Sequence, residues 1–131
     1  MILDMAQERK ITAHFESGKR YFENSIGNEF NFTSFTGPYE YLLGALSGCF
    51  YSTLDSLDRS SSWESMTIRT SGIKRETVPT TLECTTLDIT VVKATDKAEV
   101  EALVKKASEM CSIFQTIGKV SEMKININYE D

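Results

Sequence analysis

Cysteine offers this chain its widest chemistry. As a thiolate it is a nucleophile and a metal ligand, and as a neutral thiol it packs like a small hydrophobe. The sequence carries Cys49, Cys84 and Cys111, with a single histidine, His14. Those spacings match no zinc pattern, and one histidine adds little to a ligand set, so no metal is expected. The first residues, Met1-Ile2-Leu3-Asp4-Met5, turn charged at once and lack the apolar run of a signal peptide. The expected setting is therefore cytoplasmic and reducing, where these cysteines form no disulfide framework. They are left as core residues or as redox chemistry. Cys49 and Cys111 both fall on apolar faces of predicted helices. Pattern alone favours packing for each and does not bring the two together.

Other chemistries find less support. No GxGxxG or GxxxxGK[ST] loop is present, so a nucleotide cofactor is not expected. No Ser-His-Asp set can be assembled around His14, which reads as a structural or surface residue without a nearby acid. Cys84 reads as packing and Lys105-Lys106 as a solvated helix face. Phe30, Phe32 and Phe35 read as one face of a sheet. The net charge of −5 argues against nucleic acid and anionic membrane surfaces. No segment approaches the ~20 apolar residues that span a bilayer.

The elements that must position the cysteines follow from periodicity. At 131 residues, without repeats or a composition break, the chain reads as one domain over 1–131. Lys10–Phe15, Arg20–Glu23 and Glu29–Phe35 read as strands, the last alternating polar and aromatic. Pro38 suits the first position of a helix reaching about Leu57. Leu42, Leu46, Cys49, Phe50, Thr53, Leu54 and Leu57 share its apolar face. Gly44, Ser47 and Gly48 keep it thin, as close approach by another helix requires. Ser65–Lys74 and Leu82–Lys93 alternate as strands. Asp96 with Glu99 opens a second helix like a capping box. Val100, Leu103, Val104, Ala107 and Cys111 share its inner face. Ser112–Ile117 continues or bends that helix, Gly118 stops it, and Met123–Tyr129 is a last strand. The pattern is α+β with mainly antiparallel strands.

The run Gly37-Pro38-Tyr39-Glu40-Tyr41-Leu42-Leu43-Gly44-Ala45-Leu46-Ser47-Gly48-Cys49 resembles the OsmC/Ohr family of organic-hydroperoxide-resistance proteins. Cys111-Ser112-Ile113-Phe114 and the strand after it look like the family's second cysteine region. The resemblance covers nearly the whole chain. It implies an intertwined homodimer, with mainly antiparallel sheets around a long central helix and sites at the subunit interface. It also implies a thiol peroxidase of the oxidative stress response, peroxiredoxin-like in its chemistry. Cys49 would attack an organic hydroperoxide and Cys111 would resolve the product as a disulfide, which a dithiol reductant reduces. Members with this activity carry a glutamate ten residues before the first cysteine, where this sequence has Tyr39. Glu40 is one place later, turned by about 100° on a helix. A subgroup with Pro-x-Glu-Leu shares that shift, and this sequence looks closer to it. Arg20 is the residue that could stand in for the family's early-loop arginine, which stabilises the thiolate. The alternative is a family member that binds a small apolar ligand in a dimeric pocket without turnover.

Overall fold

Short alternating segments joined by tight turns build the amino-terminal part. The computed structural model describes residues 8–30, 36–58 and 62–131, and the chain divides into two compact units, Met1–Tyr41 and Leu42–Asp131. In the first unit, β1 (Thr12–Glu16) pairs antiparallel with β2 (Lys19–Glu23). Gly18 makes the turn at φ 76°, a conformation that costs glycine little. β3 (Glu29–Phe30) adds on the far side of β2. Phe22 stacks on Phe30 at 5.6 Å, and Phe15 meets Phe22 edge-on at 6.2 Å. The expected aromatic face is present at Phe30, whereas Phe32 and Phe35 lie outside the described residues.

Helix α1 (Pro38–Leu57) opens with Pro38, and Leu46, Phe50 and Leu54 form its fully buried stripe at helical spacing. Cys49, Leu43 and Leu57 pack against that stripe at its margins. Leu42 was expected on the apolar face but is 39% exposed. It lies four residues before Leu46, yet the buried stripe does not extend that far toward the helix start.

In the second unit, β4 (Ser65–Lys74), β5 (Leu82–Val92) and β6 (Glu122–Glu130) form a sheet in that order. β4 and β5 are antiparallel, whereas β5 and β6 are parallel. A parallel pair needs a long crossover, and α2 (Lys97–Met110) with α3 (Ser112–Ile117) supplies it. Three of the four ladders among the described residues are antiparallel, so the α+β class with mainly antiparallel sheets and a central helix holds. On β5, Leu87, Ile89 and Val91 are buried while Thr86, Asp88 and Thr90 alternate on the other face. The buried residues join those of α1 and Val100, Val104, Ala107 and Cys111 in one core. Each fully buried large side chain contributes ~1.5–3 kcal/mol. Thr85 and Ser121, both buried, satisfy one another at 2.7 Å. Among the described residues no helix is long and apolar enough to cross a membrane.

Candidate active site

Cys49 sits beside Phe50 on α1, at the edge of the buried stripe, so its thiol is half-buried. Its carbonyl accepts the Thr53 hydroxyl at 2.9 Å. Cys111 reaches the same place from a break in the second helix. Asp96 starts α2 as expected, with its carboxylate accepting the Ala98 and Glu99 N–H groups. At the other end the Cys111 N–H still donates to the Ala107 carbonyl at 2.7 Å. The Cys111 backbone is then extended, with φ −71° and ψ 117°, and the helix stops. α3 starts at the next residue and Cys111 serves as its N-cap, its Sγ accepting the Phe114 N–H at 3.4 Å. The break frees the Ser108 carbonyl from its helical partner, and the Gln115 side-chain amide donates to it at 2.8 Å. Cys111 was expected within a helix that continues or bends; it stands at the joint itself.

The outcome is a pair of sulfurs, Cys111 Sγ and Cys49 Sγ, 3.4 Å apart across 62 positions of sequence. A disulfide is about 2.05 Å long, so closing one needs an approach on the order of 1 Å. Phe50 and Phe114 pack at 5.7 Å and draw α1 and α3 together next to the thiols. Cys111 is 0% exposed. Burial pushes its thiol pKa up, the Phe114 N–H pulls it back in part, and the neighbouring Cys49 adds to the rise.

The other sequence-derived candidates are placed as follows. Glu40 is spent on its own helix, where its Oε1 accepts the Gly37 N–H at 3.1 Å. That is the returning arm of a capping box at the start of α1. Arg20 lies on β2 opposite Phe15, and its side chain is outside the described residues. His14 was read as lacking a nearby acid, which the hairpin corrects. Its Nε2 is 2.6 Å from Glu23 Oε1, and its ring stacks on Tyr21 at 4.5 Å. The tight Ser17–Gly18 turn fixes a register that sets His14 opposite Tyr21, and that register was the signal for the pairing. Cys84, read as packing, is half-buried and shares the face of Thr86, Asp88 and Thr90 on β5, not the buried one. Gln115 and the Phe114 amide were not singled out. No glycine or proline marks the break at Cys111 that gives them their roles.

Fold and site together define an α+β protein with a paired-thiol centre. The model of the OsmC family, described as OsmC-like protein, matches residues 32–127, and the chain belongs to that family. Among solved structures, an OsmC-like protein from Mycoplasma pneumoniae matches with a TM-score of 0.80 at 14% identity, covering 97% of this chain and 100% of that one. An organic hydroperoxide resistance protein OsmC from Legionella pneumophila matches at 0.73 and 18%, covering 94% and 98%. The organic hydroperoxide resistance protein OhrB of Bacillus subtilis matches at 0.67 and 16%, covering 93% and 98%. At these identities the shared property is the fold. No curated protein gives a significant match.

Proposed function

We propose that the chain is a thiol peroxidase that reduces organic hydroperoxides, with Cys49 as the attacking thiol and Cys111 as the resolving one. The observation that carries this reading is the 3.4 Å separation of a half-buried sulfur and a fully buried one. The Cys49 thiolate attacks the terminal peroxide oxygen, the O–O bond breaks, and the alkoxide takes a proton and leaves as an alcohol. Cys49 becomes a sulfenic acid, two electrons more oxidised. The Cys111 sulfur then attacks Cys49 Sγ, water leaves, and a disulfide forms. A dithiol restores both thiols, as a reducing cytoplasm permits. The apolar core around the pair suits an alkyl or aryl peroxide better than a hydrophilic one. The names of the Legionella and Bacillus proteins, both organic hydroperoxide resistance proteins, point the same way.

The same reading includes a homodimer. Gly44, Ala45 and Gly48 are exposed on α1. Among the described residues nothing lies within 4 Å of a Cβ built on Gly44 or Gly48. Glycines inside a helix cost about 1 kcal/mol each, and close packing by a second copy is the compensation.

The test is turnover of cumene hydroperoxide with dithiothreitol. Cys49→Ser is expected to abolish it. Cys111→Ser is expected to leave a Cys49 sulfenic acid that dimedone traps after one peroxide equivalent. Undiminished turnover in Cys49→Ser overturns the assignment. Inertness of the unaltered protein, with saturable protection of its fold by an apolar ligand, would favour a non-catalytic binding protein.

A further inference from the structure

The two sulfurs of the pair are not equivalent to an incoming reagent. Cys111 is 0% exposed within its own chain, whereas Cys49 is half-buried at the margin of the α1 stripe. A second subunit can only lower either exposure, so Cys111 stays closed to solvent in any assembly. Thiol–disulfide exchange runs through a nearly linear array of three sulfurs, so the attacker approaches from behind the sulfur it attacks. Cys111 belongs to the buried core, and its Sγ already accepts the Phe114 N–H. Cys49 only packs against that core and keeps part of its surface exposed.

From this asymmetry we propose that reduction of the Cys49–Cys111 disulfide has a fixed direction: the dithiol reductant attacks Cys49 Sγ, and Cys111 is the leaving sulfur. The inference rests on the reading of the two cysteines as a redox pair and adds which atom meets the reductant. In the first exchange a reductant thiolate bonds to Cys49 Sγ and the Cys49–Cys111 bond breaks. The electron pair goes to Cys111 Sγ, which keeps the Phe114 N–H as its hydrogen-bond donor and then takes a proton. In the second exchange the reductant's other thiolate attacks its own first sulfur. The mixed disulfide breaks, Cys49 leaves as a thiolate, and the reductant departs as a cyclic disulfide. Two electrons pass from the dithiol to the protein. Burial raises the Cys111 thiol pKa, which makes it the poorer leaving group on acidity alone. Access decides the direction, because a sulfur that cannot be approached from behind cannot be attacked.

The experiment uses the full chain carrying Cys84→Ser, so that only the pair remains. Diamide closes the disulfide without any peroxide, which keeps the test independent of peroxidase activity. The oxidised protein is mixed with 2-mercaptoethanol, quenched in acid at short times, alkylated with N-ethylmaleimide and mapped by peptide mass. The expected result is a mercaptoethanol adduct on Cys49 and maleimide on Cys111, with at least ~10-fold excess over the reverse pattern. Adducts on Cys111, or an even split, overturn the direction. Failure of diamide to join Cys49 to Cys111 overturns the pair itself. If cumene hydroperoxide is not consumed while the adduct still falls on Cys49, the peroxidase reading fails and the direction stands.

Discussion

Serine and alanine at position 111 are expected to differ, because Cys111 both lies in the core and caps α3. Its Sγ accepts the Phe114 N–H, and its side chain is fully buried. Cys111→Ala removes the acceptor and leaves a small void, an expected loss of about 2 kcal/mol from the cap and cavity terms together. Cys111→Ser keeps an oxygen that caps at least as well as sulfur, so the expected loss is about 1 kcal/mol or less, set by burying a hydroxyl. Urea denaturation of the two variants checks the order, and equal losses would remove the cap from the account. Tyr129 allows a second test at this scale. Its hydroxyl donates to Glu101 at 3.0 Å, and burial followed by that carboxylate pushes its pKa up to about 12. The folded pKa lies above the ordinary value of 10.0, so the native state holds this proton more tightly. The stabilisation is present in full below pH 10 and is lost as the pH rises through about 12. Tyr129→Phe is expected to lack that component of the alkaline fall in Tm, measured against the unaltered chain across the same pH range.

Helix breaks rather than helix faces bring the two cysteines together. A continuous α2–α3 helix would extend its regular hydrogen bonds through Cys111, whose extended backbone instead frees its sulfur to meet Phe114 and Cys49. Gln115 fills the Ser108 carbonyl that the break leaves without its helical partner. Gln115→Leu is expected to cost about 1 kcal/mol, the worth of one hydrogen bond. It is also expected to slow disulfide closure after peroxide more than it slows the first oxidation, because it loosens the segment that aims Cys111. Stopped-flow kinetics separates the two steps, and equal slowing would mean that Gln115 only stabilises the fold. The ends of these elements were largely legible in the sequence. Asp96 begins α2 with short-range hydrogen bonds, and alternation in Ser65–Lys74 matches β4. The joint at Cys111 was not, because no residue there enforces it. Its partners lie along α3 and on α1, and their positions are settled by packing.

At the scale of the whole molecule, Gly48 tests whether α1 packs against a second copy. Among the described residues a Cβ at Gly48 meets nothing within 4 Å. In an isolated chain Gly48→Leu places its side chain on an exposed face and gains helix propensity, about 0.5–1 kcal/mol. In a homodimer packed on that face the same side chain clashes with the partner. The expected outcome is a species of twice the 14.8 kDa chain mass that falls toward one chain mass in Gly48→Leu. Light scattering after size-exclusion chromatography reads this directly. A variant that is more stable and has the same mass as the unaltered protein would mean that this face packs against no second copy.

What the sequence determined by itself was local and periodic. The α+β class follows from alternating strands and apolar helix stripes, the start of α1 from Pro38, and the place of Cys49 on α1 from its apolar face. Those signals are carried by residues one to four positions apart, and backbone geometry alone makes them meaningful. The tertiary structure decided that β6 runs parallel to β5, that Leu42 is exposed, and that Glu40 caps its own helix. It also decided that Cys49 and Cys111 meet. Their sulfurs are 62 positions apart in sequence and 3.4 Å apart in space. No local preference encodes that distance. It arises where the break at Cys111 and the packing of Phe50 against Phe114 are satisfied at once.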